Sequence, residues 1–474
     1  MQHALIEPNT WMILPFGLLL AAIALAPLFF PTWWGRHYPK VALGLGAITL
    51  VYYLAGLHAW PRAADTAMEY VSFIALIGSL YVVAGGIHIQ VNGEATPWEN
   101  VKFLFFGAVI ANVLGTTGAS MLLIRPWIRM NKYRVTGHHV VFFIFIVSNV
   151  GGCLTPIGDP PLFLGYLQGI PFWWVAEHCW PIWAVGVAAL LLMFYAVDTR
   201  NYMKAPKPVR ERLAEPGNRW ICTGLSNIFF LGVILAAVFI QKPVLLRELL
   251  MVGAAVGSYY TTRKTVHHAN EFNFHPMMEV VILFAGIFAT MMPALDYLQA
   301  HAEELFKPTA TLFFWASGTL SSVLDNAPTY LSFLSAAYGA FIKPEVIAGV
   351  QTALASGVSP LTGTEAEHIR QTLAALHQYH SAEIASGSVT TSQIETAFLL
   401  GNTAYNHFIV AISVGAVFFG ANTYIGNGPN FMVKAIAEHS RVPNVPTFLG
   451  YVFKYTLPFM LPVLVLVWLL FFRG

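Results

Sequence analysis

The sequence predicts an all-α polytopic membrane protein built from two halves that repeat in inverted orientation. Two observations carry that expectation. First, the 474 residues are 57% hydrophobic and only 10% charged, with a mean hydropathy of +0.62. A soluble domain carries roughly a quarter charged residues, so this chain cannot cover itself with polar surface. Second, one helix-breaking phrase is written twice, as TPIGDPPLF at 155–163 and TYIGNGPNF at 423–431. Five of the nine positions are identical, and Asn427 stands where the first copy has Asp159. The net charge of +2 and the absence of a basic tract give no sign of a nucleic-acid partner; the partner expected from composition is membrane lipid. Cys153, Cys179 and Cys222 form no disulfide framework and read as small buried residues.

Apolar segments of spanning length fall near 11–30, 40–60, 69–86, 138–165, 172–196, 221–240, 245–261, 276–296, 395–436 and 447–472. The first reads as a span rather than a cleavable signal peptide. Two further apolar stretches, 102–124 and 309–338, have small or polar centres, GTTGAS at 115–120 and LDNAPT at 324–329. A turn at the centre of an apolar stretch predicts a re-entrant helical hairpin, which is tolerated at membrane depth when it is packed in protein or lines a cavity. With both stretches as hairpins, the loops 31–40, 87–102, 125–137, 197–220, 262–275 and 433–446 share one side and hold 17 of the 25 basic residues. That side is expected to be cytoplasmic, with both termini external and the chain in the cell's inner (plasma) membrane. Trp33, Trp34, Trp173, Trp174 and Trp180 lie near span ends, as an interfacial belt would.

The repeat extends beyond the opening phrase. MEYV at 68–71 matches MEVV at 278–281, and ANVLGTT at 111–117 matches SSVLDNA at 321–327, both at an offset of 210. The phrase itself recurs at an offset of 268, the extra length being a polar insertion at 341–394. The expected organisation is a first repeat over 1–196, with hairpin 102–124 and broken helix 138–165. A basic cytoplasmic linker follows at 197–220. The second repeat runs over 221–474, with hairpin 309–338, the external insertion and broken helix 395–436. Five spans per half is an odd number, so the second half enters from the opposite side, an arrangement common among secondary transporters. Within the insertion, LTGTEAEHIRQTLAALHQYH predicts a short amphipathic helix.

Gly158 with Pro160 and Pro161 must interrupt the fourth span, and Gly426, Gly428 and Pro429 the ninth. Each break leaves backbone carbonyls and N–H groups free at membrane depth, where they can bind ions. Inverted symmetry brings both breaks and both hairpin tips towards the midplane, giving one central site made of 115–120, 148–160, 325–329 and 420–430. Asp159 and Asp325 are the acids of these elements, and a charge at that depth is functional by default; helix capping is the alternative reading for each. Asn149, Asn326, Asn422, Asn427 and Asn430, with Ser148, Thr155, Thr329 and Thr423, offer neutral oxygens of the kind that Na⁺ prefers. The histidines match no metal-ligand spacing; His138–His139 open a span and read as interfacial, and HHAN at 267–270 as a solvated loop.

At SNVGGCLTPIGDPP (148–161), VLDNAP (323–328) and GANTYIGNGPN (420–430) the chain resembles the ion transporter superfamily, most nearly its NhaD-like Na⁺/H⁺ antiporter and citrate transporter branch. The resemblance covers nearly the whole chain in order. It implies an elevator mechanism in a homodimer, in which a transport domain holding both hairpins and both broken spans moves against a fixed scaffold. Carried over residue by residue, it implies ion-site positions at Thr116, Thr117 and Gly118; at Ser148, Asn149, Gly152, Thr155, Gly158 and Asp159; at Asp325, Asn326 and Thr329; and at Thr423, Gly426, Asn427 and Asn430. The anion symporters among these relatives carry Ser-Asn-Thr at both hairpin tips, where this chain has Thr-Thr-Gly and Asp-Asn-Ala.

The leading functional expectation is Na⁺(Li⁺)/H⁺ antiport, with Asp159 and Asp325 as proton carriers and Na⁺ bound at the same site. Competition of H⁺ and Na⁺ for one carboxylate couples the exchange. The alternative is cation-coupled symport of citrate or another organic anion, against which stands the absence of arginine from the four site elements. No enzymatic activity is expected, and no cofactor beyond the transported or coupling ions.

Overall fold

The computed structural model describes residues 7–92, 95–204, 219–240, 242–305, 308–356 and 364–473. Helices account for nearly all of its ordered structure, as composition requires of a chain that must satisfy its own backbone in lipid. Among the described residues, seven helices are long and apolar enough to cross a membrane, or nine if each of two bent pairs is counted as one span. The chain is thus a multi-pass membrane protein.

The first three helices are α1 (Leu14–Phe29), α2 (Pro31–Val51) and α3 (Trp60–Gly85). In the second half of the chain lie α8 (Asn227–Val238), α9 (Leu246–Thr261) and, after the short α10 (Lys264–Ala269), α11 (His275–Leu305). The halves pack crosswise: α2 lies on α11, and α3 on α9. These six helices pack against one another as one group, called the framework below.

Helix α4 (Pro97–Met130) is a hairpin, not a rod. A straight helix of that length would separate its ends by about 50 Å. Instead Asn100 and Asn131 exchange side-chain hydrogen bonds at 2.8 and 3.0 Å, and the Ala95 N–H donates to the Met130 carbonyl at 3.0 Å. The reversal occurs at Gly115, with φ 73° and ψ 155°, a conformation that side-chain-bearing residues avoid. The arms are longer than the expected 102–124. The second hairpin is α12 (Ala310–Ser321) and α13 (Asn326–Phe341), whose far ends meet where the Phe313 and Phe341 rings lie 6.4 Å apart.

Both broken helices form. The first is α5 (Gly137–Ile146), a short turn at 150–152, and α6 (Pro160–Leu167). The second is α18 (Asn406–Phe419), a turn at 420–422, and α19 (Gly428–His439). Asp159 precedes a proline and is extended (φ −142°, ψ 143°), as that position dictates; Asn427 matches it (φ −154°, ψ 141°). Every residue of α5 is buried, and nearly all of α18. Each half closes with a long apolar helix, α7 (Trp174–Lys204) and α20 (Phe448–Phe471), and these two pack together.

Four expectations are corrected. The expected span 221–240 is shortened: in this otherwise helical chain His88–Asn92 pairs antiparallel with Arg219–Thr223, which uses up the start of that span and leaves α8 only twelve residues. The second broken helix begins at Asn406 rather than 395, because α17 (Thr391–Gly401) bends away from it by 105°. The insertion is not a separate polar excursion throughout, since α14 (Pro344–Ser356) follows α13 across an 87° bend. The fourth concerns the histidines and is described with the site below. The amphipathic helix expected in the insertion is α15 (Thr364–Tyr379), followed by the short α16 (Ser381–Ala385). Most of the expected linker, 205–218, lies outside the described residues.

Candidate functional site

The two breaks and two hairpin tips converge on Asp159. Its side chain is fully buried at the N-terminus of α6 but caps nothing there. Three donors from three other elements reach it instead. The Thr116 hydroxyl, just past the first hairpin's turn, donates to Oδ1 at 2.7 Å. The Asn427 amide, from the second break, donates to the same oxygen at 3.2 Å. The Asn326 amide, from the second hairpin, donates to Oδ2 at 2.5 Å. All three donors are neutral, and no ion pair to Asp159 occurs among the described residues.

A second layer fixes those donors. Asn427 also donates to the Ser148 carbonyl and to Asn149 Oδ1, both at 3.2 Å. Asn149 donates to Asn430 Oδ1 at 2.7 Å and to the Ile144 carbonyl at 2.8 Å. Asn430 donates to the carbonyls of Gly420 and Thr423. Ser148 and Ser120 share a hydrogen bond of 2.7 Å. Two asparagine acceptors of these elements are left over: Asn326 Oδ1 and Asn422 Oδ1 are buried and have no hydrogen-bond partner. An unpaired buried acceptor is costly, and it is a ready ligand for a cation or a donor. Beside the first hairpin tip, Gly115, Thr116, Thr117 and Gly118 line a small cavity of about 20 Å³ with Gly158 and Pro160, room for one water-sized occupant.

The remaining candidates hold the loops. The Thr155 hydroxyl donates to the Asn112 carbonyl at 2.6 Å and accepts from the Gly158 N–H at 3.1 Å. The Thr423 hydroxyl donates to the Ser322 carbonyl at 2.6 Å and accepts from the Gly426 N–H at 3.0 Å. The two clasps are related by the same offsets, 210 and 268, as the repeats in the sequence. Gly152 and Gly158 lie so close that a Cβ on Gly158 would meet the Gly152 carbonyl oxygen at 2.2 Å. Asp325 is half-buried; its Oδ1 accepts from the Ala327 N–H at 3.1 Å, which caps α13, and Thr329 donates back to the Asp325 carbonyl. Its charge is near enough to act on Asp159.

Two residues of the site lay outside the sequence candidates. Ser120 sits one turn beyond Thr116, inside the recognised tip, where only its small polar character marked it. Asn112 donates to the Gly151 and Ala108 carbonyls and accepts from the Leu154 N–H, so it fastens the first break to the first hairpin. Its place in the repeated ANVLGTT stretch was the available signal.

The histidine pair is the fourth correction. His138 and His139 do not face outward as an interfacial pair would: they are buried in the protein, and their Nε2 atoms lie 3.4 and 3.1 Å from Asp198 Oδ1. The three ligand-type atoms fall within 4.8 Å of one another, which is metal-site geometry that sequence spacing did not reveal. Arg134 already ion-pairs with the same carboxylate, however, and Asn100 donates to it at 2.9 Å. The Thr136 N–H points at His139 Nδ1 at 3.3 Å, which leaves the ring proton on Nε2, facing Asp198. The arrangement is a hydrogen-bonded ion cluster tying both feet of the first hairpin to α5 and α7. The HHAN stretch is also structural in part, since Asn270 donates to the Gly85 and Ile87 carbonyls.

Residues 6–472 match the model of a family described as putative citrate transport. No curated protein matches the chain.

Proposed function

The chain belongs to this citrate-transport family, and from that premise we propose that it is a secondary transporter exchanging Na⁺ or Li⁺ for H⁺, with Asp159 as the coupling carboxylate. The observation that carries the reading is a buried carboxylate with no ion-pair partner among the described residues, held by three neutral donors from three separate elements. A charge at that depth with no fixed counter-charge needs a proton or a mobile cation to neutralise it. The two compete for the same group, which couples their movement as long as the empty, charged carrier crosses poorly. Asn326 Oδ1, Thr116, Asn149 and the carbonyls of the breaks are the neutral oxygens beside it.

Mirrored clasps and crosswise helix packing support an inverted repeat whose hairpins and broken helices move as one body against the framework, in a homodimer with both termini external to the inner membrane. Asp325 acts in this reading through its field on Asp159 and as the cap of α13.

A second reading, cation-coupled symport of citrate or a similar anion, is favoured by the family's description. The N-termini of α6, α13 and α19 would face the carboxylates, and a co-bound cation would offset the repulsion of Asp159 and Asp325.

Everted vesicles with an imposed ΔpH, reported by acridine orange, separate the two. Addition of NaCl or LiCl is expected to dequench the dye. Asp159→Asn should abolish the response, whereas Asp325→Asn, which keeps the cap, should retain most of it. No response to cations, with labelled citrate accumulating in right-side-out vesicles, would replace antiport by symport. Dequenching that survives Asp159→Asn would remove Asp159 from the coupling step.

A further inference from the structure

The far ends of the half-helices that start at the site carry a second polar cluster. Helix α6 runs from Asp159 to Gln168, about 12 Å along its axis. There the Gln168 amide donates to Glu69 Oε1 on α3 at 2.8 Å. The Gln168 carbonyl accepts from the Thr396 hydroxyl at 2.7 Å, and Thr396 shares a hydrogen bond with Tyr338 near the end of α13. The neighbour of Thr396, Glu395, is 6% exposed and accepts from the Gln299 amide on α11 at 2.6 Å. Thr396 therefore fastens α17 to α6 and α13, on the site-bearing side, while Glu69 and Gln299 belong to the framework.

The two bridges are reciprocal. One has its acid on the framework and its amide on the site-bearing body; the other is reversed. Both lie in the field of Arg62, which ion-pairs with Asp296 at 3.0 Å while Tyr53 donates to the same carboxylate at 2.7 Å. Of the two bridging acids, Glu395 would travel with the site-bearing body and Glu69 would stay with the framework. Separation of the bodies would strip each carboxylate of its amide. Beside these bridges, Tyr166 at the end of α6 donates to the Val238 carbonyl on α8 at 2.9 Å.

We propose that Glu69–Gln168 and Glu395–Gln299 are a paired latch that holds the site-bearing helices docked against the framework in this conformation and opens once in every transport cycle. The proposal rests on the moving-body reading above.

Two cross-linking experiments, in a background with Cys153, Cys179 and Cys222 replaced by Ser, separate the latch from that reading. In Glu69→Cys/Gln168→Cys, a short reducible bis-thiol reagent that joins the pair should abolish exchange, and reduction should restore it. Complete cross-linking with exchange undiminished would mean that the bodies do not part there, and both the motion and the latch would fall. In Tyr166→Cys/Val238→Cys, the rate of cross-linking reports docking without any need for transport activity. It should drop several-fold when Glu69→Ala or Glu395→Ala is added, and by less with Glu69→Gln, which retains a hydrogen-bonding pair. An unchanged rate in both alanine variants, alongside reversible inhibition in the first experiment, would leave the motion standing and overturn the latch.

Discussion

Asp159 and Asn427 occupy the same position in two copies of one phrase, and replacing a carboxylate oxygen by an amide nitrogen is what lets them meet. Two carboxylates face to face would repel and force one to hold a proton; an amide donates to the acid opposite, at 3.2 Å. This much was legible, because Asp and Asn differ by little except that chemistry. The role of Asn326 was not, since an asparagine in a helix N-terminal turn reads equally as cap, ligand or donor, and here its two side-chain atoms differ: Nδ2 is committed to Asp159 and Oδ1 is open. A single residue in the insertion supports a pH prediction. His380 is 4% exposed, contacts the Gly169 carbonyl through Nε2 at 3.0 Å, and has Glu383 4.0 Å from Nδ1. Burial holds its pKa below the usual histidine value, against the opposing pull of Glu383 and Gly169. The neutral ring is therefore the folded form. Its contribution is complete above the ordinary histidine pKa and is lost as pH falls through that value towards the depressed one. Amide-exchange protection of α15 and α16 should fall as pH drops below the ordinary histidine value of about 6.5, and His380→Asn should flatten that dependence. Protection independent of pH in the unsubstituted protein would show that His380 does not hold the insertion down.

At the level of elements, the hairpins and breaks were readable because each puts small, polar or proline residues inside apolar sequence, where only a loss of helix explains them. Element ends were not readable. The apolar run IETAFLLG merges into the ninth span, and only the turn at 402–405 sends α17 off at 105°. The short strands 88–92 and 219–223 carry no alternation long enough to stand out, and they pair across more than a hundred residues. The breaks themselves make a sharp test. A Cβ on Gly158 would meet the backbone oxygen of Gly152 at 2.2 Å, and backbone cannot swing aside as a flexible side chain would. A Cβ on Gly428, in the second phrase, meets nothing within 4 Å. Gly158→Ala is expected to cost about 1–3 kcal/mol and to reduce transport severely, because the loop it forces apart also carries Asp159. Gly428→Ala should stay within about 0.5 kcal/mol of the unsubstituted protein. Thermal midpoints in detergent, read beside transport in vesicles, compare the two; equal effects would mean that close packing of the first break is not what positions the acid.

Across the whole molecule, the parts of the design written in contiguous phrases were legible and the parts assembled from scattered residues were not. The Asp198 cluster draws on Asn100, Arg134, His138, His139 and Asp198, and no stretch of sequence places the last of these beside the others. Only folding brings the end of α7 against the mouth of the first hairpin. The cluster is fully enclosed, and Arg134 spends its second nitrogen on the Ala95 carbonyl at 2.9 Å, so it locks the hairpin's entry as well as its exit. Removing one partner of a buried pair leaves the other as an uncompensated charge, which costs about 3–5 kcal/mol. Both Asp198→Ala and Asp198→Asn strand the Arg134 charge and are therefore expected to lower the thermal midpoint markedly, Asp198→Asn somewhat less because it keeps one acceptor oxygen for Asn100 or Arg134. Arg134→Ala combined with Asp198→Ala should lose less than the sum of the two single changes, because neither charge is then stranded. Additive losses would mean that the two residues contribute separately, and that the hairpin's base is held by the Asn100–Asn131 exchange rather than by the ion pair.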